Sequence, residues 1–185
     1  MSDFMLRLAT TTLPALVVGT ASTWLAFSVA RRRSGPAAAR LAATRALLAT
    51  VVATLLVWTL LLSNPDAADA KSLNLVPFRE IARALRSEEA SYTVVNLWGN
   101  VLVFVPLGAL IALSIRRSAR CAGTKAFASG VGLSVAIEAA QFGIGRSADV
   151  DDVILNAIGV AVGVAGAALA RRLLGQRPSS ADEPS

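Results

Sequence analysis

The chain has no histidine, a single cysteine and little charge for its length. Without histidine, a Ser-His-Asp triad, a histidine-ligated haem and a histidine-rich zinc site are all excluded. Cys121 has no partner for an intrachain disulfide or a two-cysteine redox centre, so we interpret it as a small apolar residue. Charged residues make up 16% of the 185 residues, against about 25% in a typical soluble domain. These shortages argue against an ordinary soluble enzyme.

Apolar residues make up 55% of the chain and are concentrated in stretches of about 20 residues, the length of helix that crosses a bilayer. The stretches are Leu8–Ala30, Leu41–Leu62, Val94–Ile115, Ala126–Ile144 and Val153–Ala170. The predicted fold class is all-α: a polytopic membrane bundle of about five transmembrane helices, with a short amphipathic helix in the external loop 63–93. The predicted organisation is two helices in residues 1–70, three in 71–174, and a disordered cytoplasmic tail in 175–185.

Basic residues are distributed unevenly between the connecting segments. Twelve of the 18 lysines and arginines follow the first, third and fifth stretches or begin the next one, and Arg31, Arg32 and Arg33 are among them. The positive-inside rule places these segments in the cytoplasm. The N-terminus is therefore predicted outside the cell and the C-terminus inside. The net charge of +6 then reflects membrane topology, and no nucleic-acid partner is predicted.

Polar side chains in the last three stretches recur at spacings that share a helix face. These pairs are Asn96 and Asn100, Glu138 and Gln141, and Asp152 and Asn156, and the loop between the fourth and fifth stretches adds Arg146, Asp149 and Asp151. All lie near the external ends of their helices. They predict a common external pocket lined by amides and carboxylates. Interhelical hydrogen bonds that only hold the bundle together are the alternative.

Glu138 lies about a turn and a half inside the fourth stretch. An ionised carboxylate at such a depth costs several kcal/mol unless it is paired or hydrated. Arg146 is the nearest external cation in the sequence. A bidentate contact between the Arg146 guanidinium and the Glu138 carboxylate is therefore predicted.

The acidic run Asp149, Asp151 and Asp152 has two interpretations. Together with Glu138 it offers carboxylate oxygens of the kind that bind Mg²⁺ or Ca²⁺. Alternatively, acids at the start of a helix cap its free N–H groups and complement the helix dipole. The capping interpretation is favoured, and no metal or other cofactor is predicted. The small residues below this level are assigned to close helix packing: Gly130, Ser134, Gly159 and Gly163.

The external loop contains the segment that predicts the amphipathic helix, from Pro77 to Arg86. Its apolar face comprises Phe78, Ile81 and Leu85. Proline is suited to the first helical position, so the helix is predicted to begin at Pro77. Arg79 and Arg83 lie on another face and would attract anionic headgroups if the helix lies on the membrane. A plain loop helix that shields the bundle is the alternative.

Several segments of the second half carry a family resemblance. They run in order through Asn74–Phe78, Asn96–Asn100, Phe104–Gly108, Ser134–Gln141 and Gly145–Asn156, followed by Gly159 and Gly163. In this order the segments resemble the VanZ-like family of bacterial membrane proteins. The resemblance implies an integral membrane protein and, as in some members, lowered susceptibility to teicoplanin-type glycopeptides, but it supplies no reaction. It also adds Asn74 to the predicted ligand-binding residues.

Three functions remain open from the sequence. The leading hypothesis is a cell-envelope protein whose external pocket binds a lipid headgroup or a lipid-linked envelope precursor, with Arg146 and the arginine-bearing helix contacting phosphate. The second is a membrane enzyme acting on a lipid-linked or phosphorylated substrate, with Glu138 as general acid or base. The third is a transporter or lipid flippase, which the apolar cytoplasmic halves of the helices disfavour.

Overall fold

The computed structural model describes residues 3–62, 72–86, 97–115 and 119–175. Its elements are α1 (Asp3–Leu56), a π-helical extension (Val57–Leu62), β1 (Leu73–Asn74), α2 (Arg79–Arg86), α3 (Gly99–Ser114), α4 (Ala119–Gly143), β2 (Ala148–Asp149) and α5 (Val150–Gly175). The predicted all-α class is confirmed for these residues, in which the only strands are the two-residue β1 and β2. The tail of residues 175–185 was predicted to be disordered, and its residues beyond Gly175 lie outside the described part.

α1 consists of two helical limbs, 3–34 and 36–56, joined at Gly35, whose φ of 84° and ψ of −179° are not helical. A Cβ placed on Gly19 would collide with the side chain of Thr50. Since these two residues lie almost equally far from Gly35 on either side, the limbs run antiparallel. Residues 31–34 and 36–40, which lie between the first two apolar stretches, are therefore helical as well. One glycine reverses the chain, and Pro36 follows it at a position where a helix accepts proline.

Gly35→Ala tests this reversal without the complication of a steric collision. No heavy atom lies within 4 Å of a Cβ built on Gly35, so the cost is purely conformational. A non-glycine residue in this backbone region costs about 1–3 kcal/mol. We expect a corresponding loss in the free energy of unfolding, measured in detergent. Gly132→Ala in α4, which also meets nothing within 4 Å but has a helical backbone, is the control; equal stability of the two variants would contradict the prediction.

The bundle core joins the second limb of α1 to α3, α4 and α5. Its buried side chains are Leu55, Phe104, Leu107, Ile137 and Val160. The closest approach is between α3 and α5, because a Cβ on Gly163 would overlap the carbonyl oxygen of Val105 and lie 2.7 Å from the backbone nitrogen of Ala109. The prediction that Gly159 and Gly163 serve close helix packing is confirmed.

The helix ends form two groups at opposite ends of the bundle. At one end, Arg171 of α5 donates Nη2 to the carbonyl oxygen of Ala112 at 2.8 Å and to that of Ile115 at 3.3 Å, next to the C-terminus of α3. The other group combines the π-helical extension, the N-termini of α3 and α5 and the C-terminus of α4. We call this second group the polar end, because the acidic and amide side chains of the bundle lie there.

Among the described residues, two helical segments are long and apolar enough to cross a membrane. They are Val17–Leu60, whose 44 residues include the reversal at Gly35 and so belong to both limbs of α1, and Val150–Leu173, with 24 residues. α3 is apolar but has only 16 residues. Large apolar side chains such as Trp24 and Leu102 are exposed on the outside of the bundle, as expected for contact with lipid.

α2 begins at Arg79, two residues later than predicted. Phe78 has a left-handed backbone with a φ of 66°, and an L-residue in this conformation cannot continue a right-handed helix. The predicted apolar face is also divided. Phe78 and Leu85 are 61% and 69% exposed, whereas the buried residue of α2 is Ala84. α2 therefore buries Ala84 and half-buries Ile81, whereas Leu85, like Phe78 just before the helix, is uncovered.

Candidate ligand-binding site at the polar end

Two short strands attach the segment 72–86 to the start of α5. β1 and β2 are parallel, with Leu73 opposite Ala148 and Asn74 opposite Asp149. The backbone N–H of Ala148 donates to the carbonyl oxygen of Ser72 at 3.0 Å. The Ser72 hydroxyl donates to that of Ser147 at 2.9 Å. Strands of two residues are too short to produce an alternating pattern, so this pairing could not be predicted from the sequence.

Asp149 connects three segments of the polar end. Its carboxylate accepts two hydrogen bonds from Nδ2 of Asn74, at 3.0 and 3.1 Å. It also accepts the backbone N–H of Asp151 at 2.8 Å, which is the geometry of an N-cap for α5. The backbone N–H of Asp149 donates to Oε2 of Glu138 at 3.1 Å. Asn74, Glu138 and Asp149, all predicted site residues, are therefore in direct contact.

Asp151 caps a different helix from the one that contains it. Its side chain is almost completely buried, with 1% exposure. Its carboxylate accepts backbone N–H groups from the start of α2, those of Phe78 at 2.5 Å, Glu80 at 2.7 Å and Ile81 at 3.1 Å. This role of Asp151 was not predicted from the sequence. The available signal was the apolar Phe78 directly before α2, which has no side-chain acceptor and leaves the helix to be capped from elsewhere.

Two amide contacts link the helices themselves. Nδ2 of Asn100 in α3 donates to Oδ1 of Asp152 in α5 at 2.6 Å. One turn deeper in α5, Nδ2 of Asn156 donates to the Ser134 hydroxyl of α4 at 2.9 Å. Polar side chains of α3, α4 and α5 are therefore brought together, as their spacing predicted. Ser134, which we assigned to packing alone, is also a hydrogen-bond partner.

Arg146 does not contact Glu138, and the predicted bidentate pair is wrong. Its Nη1 donates to the carbonyl oxygen of Thr59 at 2.7 Å, and Nε2 of Gln141 approaches the same oxygen at 3.4 Å. Gly145, with a φ of 92°, turns the chain so that the arginine reaches the π-helical extension. Carbonyl groups near the end of a helix carry partial negative charge and attract cations. Glu138 receives the Asp149 N–H instead.

The remaining predicted residues are at the edge of the site or outside the described part. Arg79 and Arg83 are exposed on α2, and Arg83 forms an ion pair with Glu80 at 2.7 Å. Asn96 is outside the described residues. Among the described residues, no three acidic, cysteine or histidine side chains are arranged to hold a metal ion.

The structure and the sequence together define the class of protein to which the chain belongs. Long apolar helices with uncovered apolar side chains and one polar end indicate a helical membrane protein. More specifically, the chain belongs to the VanZ/LLP1 family, whose sequence profile matches residues 47–171. The family resemblance from residues 74–163 is thereby confirmed, and the match begins earlier, in the second limb of α1, so that it includes Thr59. No curated protein and no solved structure matches the chain.

Proposed function

We propose that this protein is a multi-pass membrane protein of the bacterial envelope whose polar end binds a lipid headgroup or a lipid-linked envelope precursor. The convergence of side chains at the polar end supports this proposal most directly. Hydrogen bonds join Asn74 of β1 and Glu138 of α4 to Asp149 of β2. Another joins Asn100 of α3 to Asp152 at the start of α5. A pocket built from such side chains is suited to a polar ligand at a membrane surface.

The proposed topology has five crossings: the two limbs of α1, then α3, α4 and α5. The two groups of helix ends support it, because the arginine contacts at the C-terminus of α3 lie opposite the acidic side chains of the polar end. By the positive-inside rule, the polar end faces outward and the C-terminus lies in the cytoplasm. The ligand would therefore be reached from the external leaflet.

α2 supplies the membrane-surface part of the proposal. Leu75, Val76 and Phe78 are more than half exposed, and the exposed Arg79 and Arg83 follow them directly. Apolar side chains beside arginines are typical of a segment that lies at the headgroup level of a bilayer. In this position the arginines would contact lipid phosphate. The Thr59 carbonyl takes one of the five N–H donors of Arg146, which leaves others for the same kind of contact.

The binding function is favoured over transport by the packing below the polar end. Under Asn156, Gly159 and Gly163 bring α5 against backbone atoms of α3. A polar path through the bundle would have to separate this contact. An enzymatic role for Glu138 would require its carboxylate to exchange protons with a bound substrate. One oxygen of this carboxylate already accepts the Asp149 N–H, which disfavours that role.

We expect expression of the wild-type protein to lower susceptibility to teicoplanin-type glycopeptides several-fold, and Arg146→Gln to abolish most of this effect. Glutamine keeps an N–H donor for the Thr59 carbonyl but removes the charge that would bind phosphate. The measurement is the minimal inhibitory concentration, with membrane levels matched by immunoblot. Arg172→Gln, an exposed arginine at the opposite end, is the control. No effect of the wild type would contradict the antibiotic part of the proposal, and an unchanged Arg146→Gln variant would contradict the role of Arg146.

A further inference from the structure

Four polar side chains line the contact between α4 and α5 at the polar end. We call this group the α4–α5 crevice: Ser134 and Glu138 on α4, and Asp152 and Asn156 on α5. The two residues on each helix are four positions apart and therefore share a face, one turn above the other. The Asn156–Ser134 hydrogen bond of 2.9 Å joins the helices at the lower level. Glu138 and Asp152 then lie at the upper level.

One oxygen in the α4–α5 crevice lacks a donor. Asn156 is 5% exposed, and within the described part of the chain its Oδ1 has no hydrogen-bond partner. Buried polar atoms in proteins are nearly always hydrogen bonded. The amide has already used Nδ2 on Ser134, which fixes its orientation and leaves Oδ1 as an acceptor. A ligand that enters between Glu138 and Asp152 and donates an N–H group would satisfy it.

The charges around the α4–α5 crevice favour a cationic ligand. The carboxylates of Asp149, Asp151 and Asp152 accept hydrogen bonds from backbone N–H groups or from asparagine side chains, all of which are neutral. Glu138 likewise accepts a backbone N–H. Arg146, a basic residue close to Glu138 and Asp152, directs Nη1 at the Thr59 carbonyl. Acidic side chains therefore outnumber basic ones at this place among the described residues, which favours a ligand that carries positive charge.

From these observations we infer that the α4–α5 crevice binds a primary ammonium group, as carried by an aminophospholipid headgroup. The inference rests on the proposed function and specifies its ligand. A primary ammonium has three N–H donors, which match the oxygens of Glu138, Asp152 and Asn156. In an ethanolamine headgroup the phosphate is two carbons and an oxygen away from the nitrogen, so it would lie outside the crevice within reach of Arg146 or the arginines of α2. A divalent metal fits less well, because no three acidic side chains of the described residues are arranged to hold one.

The test compares lipids that differ only in the cationic group. Purified full-length protein in a non-ionic detergent is titrated with dioleoyl phosphatidylethanolamine, with dioleoyl phosphatidylcholine and with dioleoyl phosphatidylglycerol, and bound lipid is counted by native mass spectrometry. We expect phosphatidylethanolamine to bind about tenfold more tightly than phosphatidylcholine, because a quaternary ammonium has no N–H donor. Displacement by soluble ethanolamine, but not by choline, would show that the ammonium alone is recognised; displacement by neither would assign recognition to the intact lipid.

Glu138→Gln supplies the mutational arm of this test. It is nearly isosteric but removes the charge, and we expect it to abolish the preference for phosphatidylethanolamine. Glu80→Gln removes a carboxylate that is paired with Arg83 outside the crevice, so it should keep the preference. If Glu138→Gln does not fold, Asp152→Asn and the comparison of lipids on the wild type take its place.

Each negative result of the lipid-binding test would overturn a different part of the inference. Equal binding of phosphatidylethanolamine and phosphatidylcholine, or tighter binding of phosphatidylglycerol, would overturn the ammonium assignment and leave headgroup binding intact. A folded Glu138→Gln variant with an undiminished preference would overturn the assignment to the crevice. Binding of none of the three lipids would overturn the proposed function together with the inference.

Discussion

Asp151→Asn is expected to release α2 from the start of α5 while leaving the bundle folded. The Asp151 carboxylate is almost completely buried and accepts three backbone N–H groups of α2. Hydrogen bonds to a charged acceptor contribute about 1.5–3 kcal/mol each, and an asparagine amide would direct an N–H group at some of these donors. We expect the local opening free energy of α2 to fall by about 3 kcal/mol, which corresponds to roughly 100-fold faster amide exchange.

Hydrogen–deuterium exchange of residues 78–86 measures this release directly. Exchange in α3 and α5 should change little, because their contact is made by the glycines and the apolar core. Glu80→Gln is the matched control, since it removes a half-buried carboxylate from α2 itself and leaves the Asp151 carboxylate in place. Slow exchange of α2 in a folded Asp151→Asn variant would contradict the prediction.

Release of α2 also bears on the proposed function. The exposed Arg79 and Arg83 belong to α2, so their positions depend on that of the helix. The described segment 72–86 is held in place by the pairing of β1 and by the hydrogen bonds of Asn74 and Asp151. A variant that frees α2 should therefore weaken binding of an anionic headgroup. The Asn156 and Glu138 side chains, which lie between α4 and α5, would keep their positions.

The parts of the site that could be predicted are those set by helix periodicity. Asn100, Asp152 and Asn156 were placed at the external ends of α3 and α5 because a spacing of four residues defines a helix face whatever the helix packs against. Close helix packing at Gly163 was predicted for a similar reason, because small residues repeated on one face permit close approach, and the structure identifies α3 as the partner.

The parts that could not be predicted depend on which distant groups meet. Arg146 was paired with Glu138 because it is the nearest external cation in the sequence, but the turn at Gly145 directs it to Thr59, 87 residues away. Asp151 was interpreted as part of the start of its own helix, although its carboxylate serves α2. At Gly35, a single backbone conformation reverses the chain between the first two apolar stretches, within residues that are otherwise helical. None of these outcomes is encoded in a local periodic pattern.

Gly163→Ala is expected to cause the other large loss, in this case to the bundle as a whole. The added methyl group would meet the carbonyl oxygen of Val105 and the nitrogen of Ala109, which are backbone atoms of α3 and cannot rotate away. Overpacking of this kind costs typically about 1–3 kcal/mol, and we expect the upper part of that range because α3 and α5 would have to separate along their length. The measurement is the midpoint of thermal unfolding in detergent.

Gly166→Ala makes the same chemical change three residues further along α5. A Cβ at that position meets nothing within 4 Å, so the substitution should be neutral or should stabilise the helix by about 0.5–1 kcal/mol, through the better helix propensity of alanine. The two variants share a helix, a residue type and a change in propensity, and differ in what the methyl group meets. If the two substitutions shift the unfolding midpoint in opposite directions, the α3–α5 contact is the cause. A similar rise in stability for Gly163→Ala would mean that the two helices are not closely packed. Because this contact lies directly below Asn156, a stable Gly163→Ala variant would also remove the argument from close packing against a polar path through the bundle.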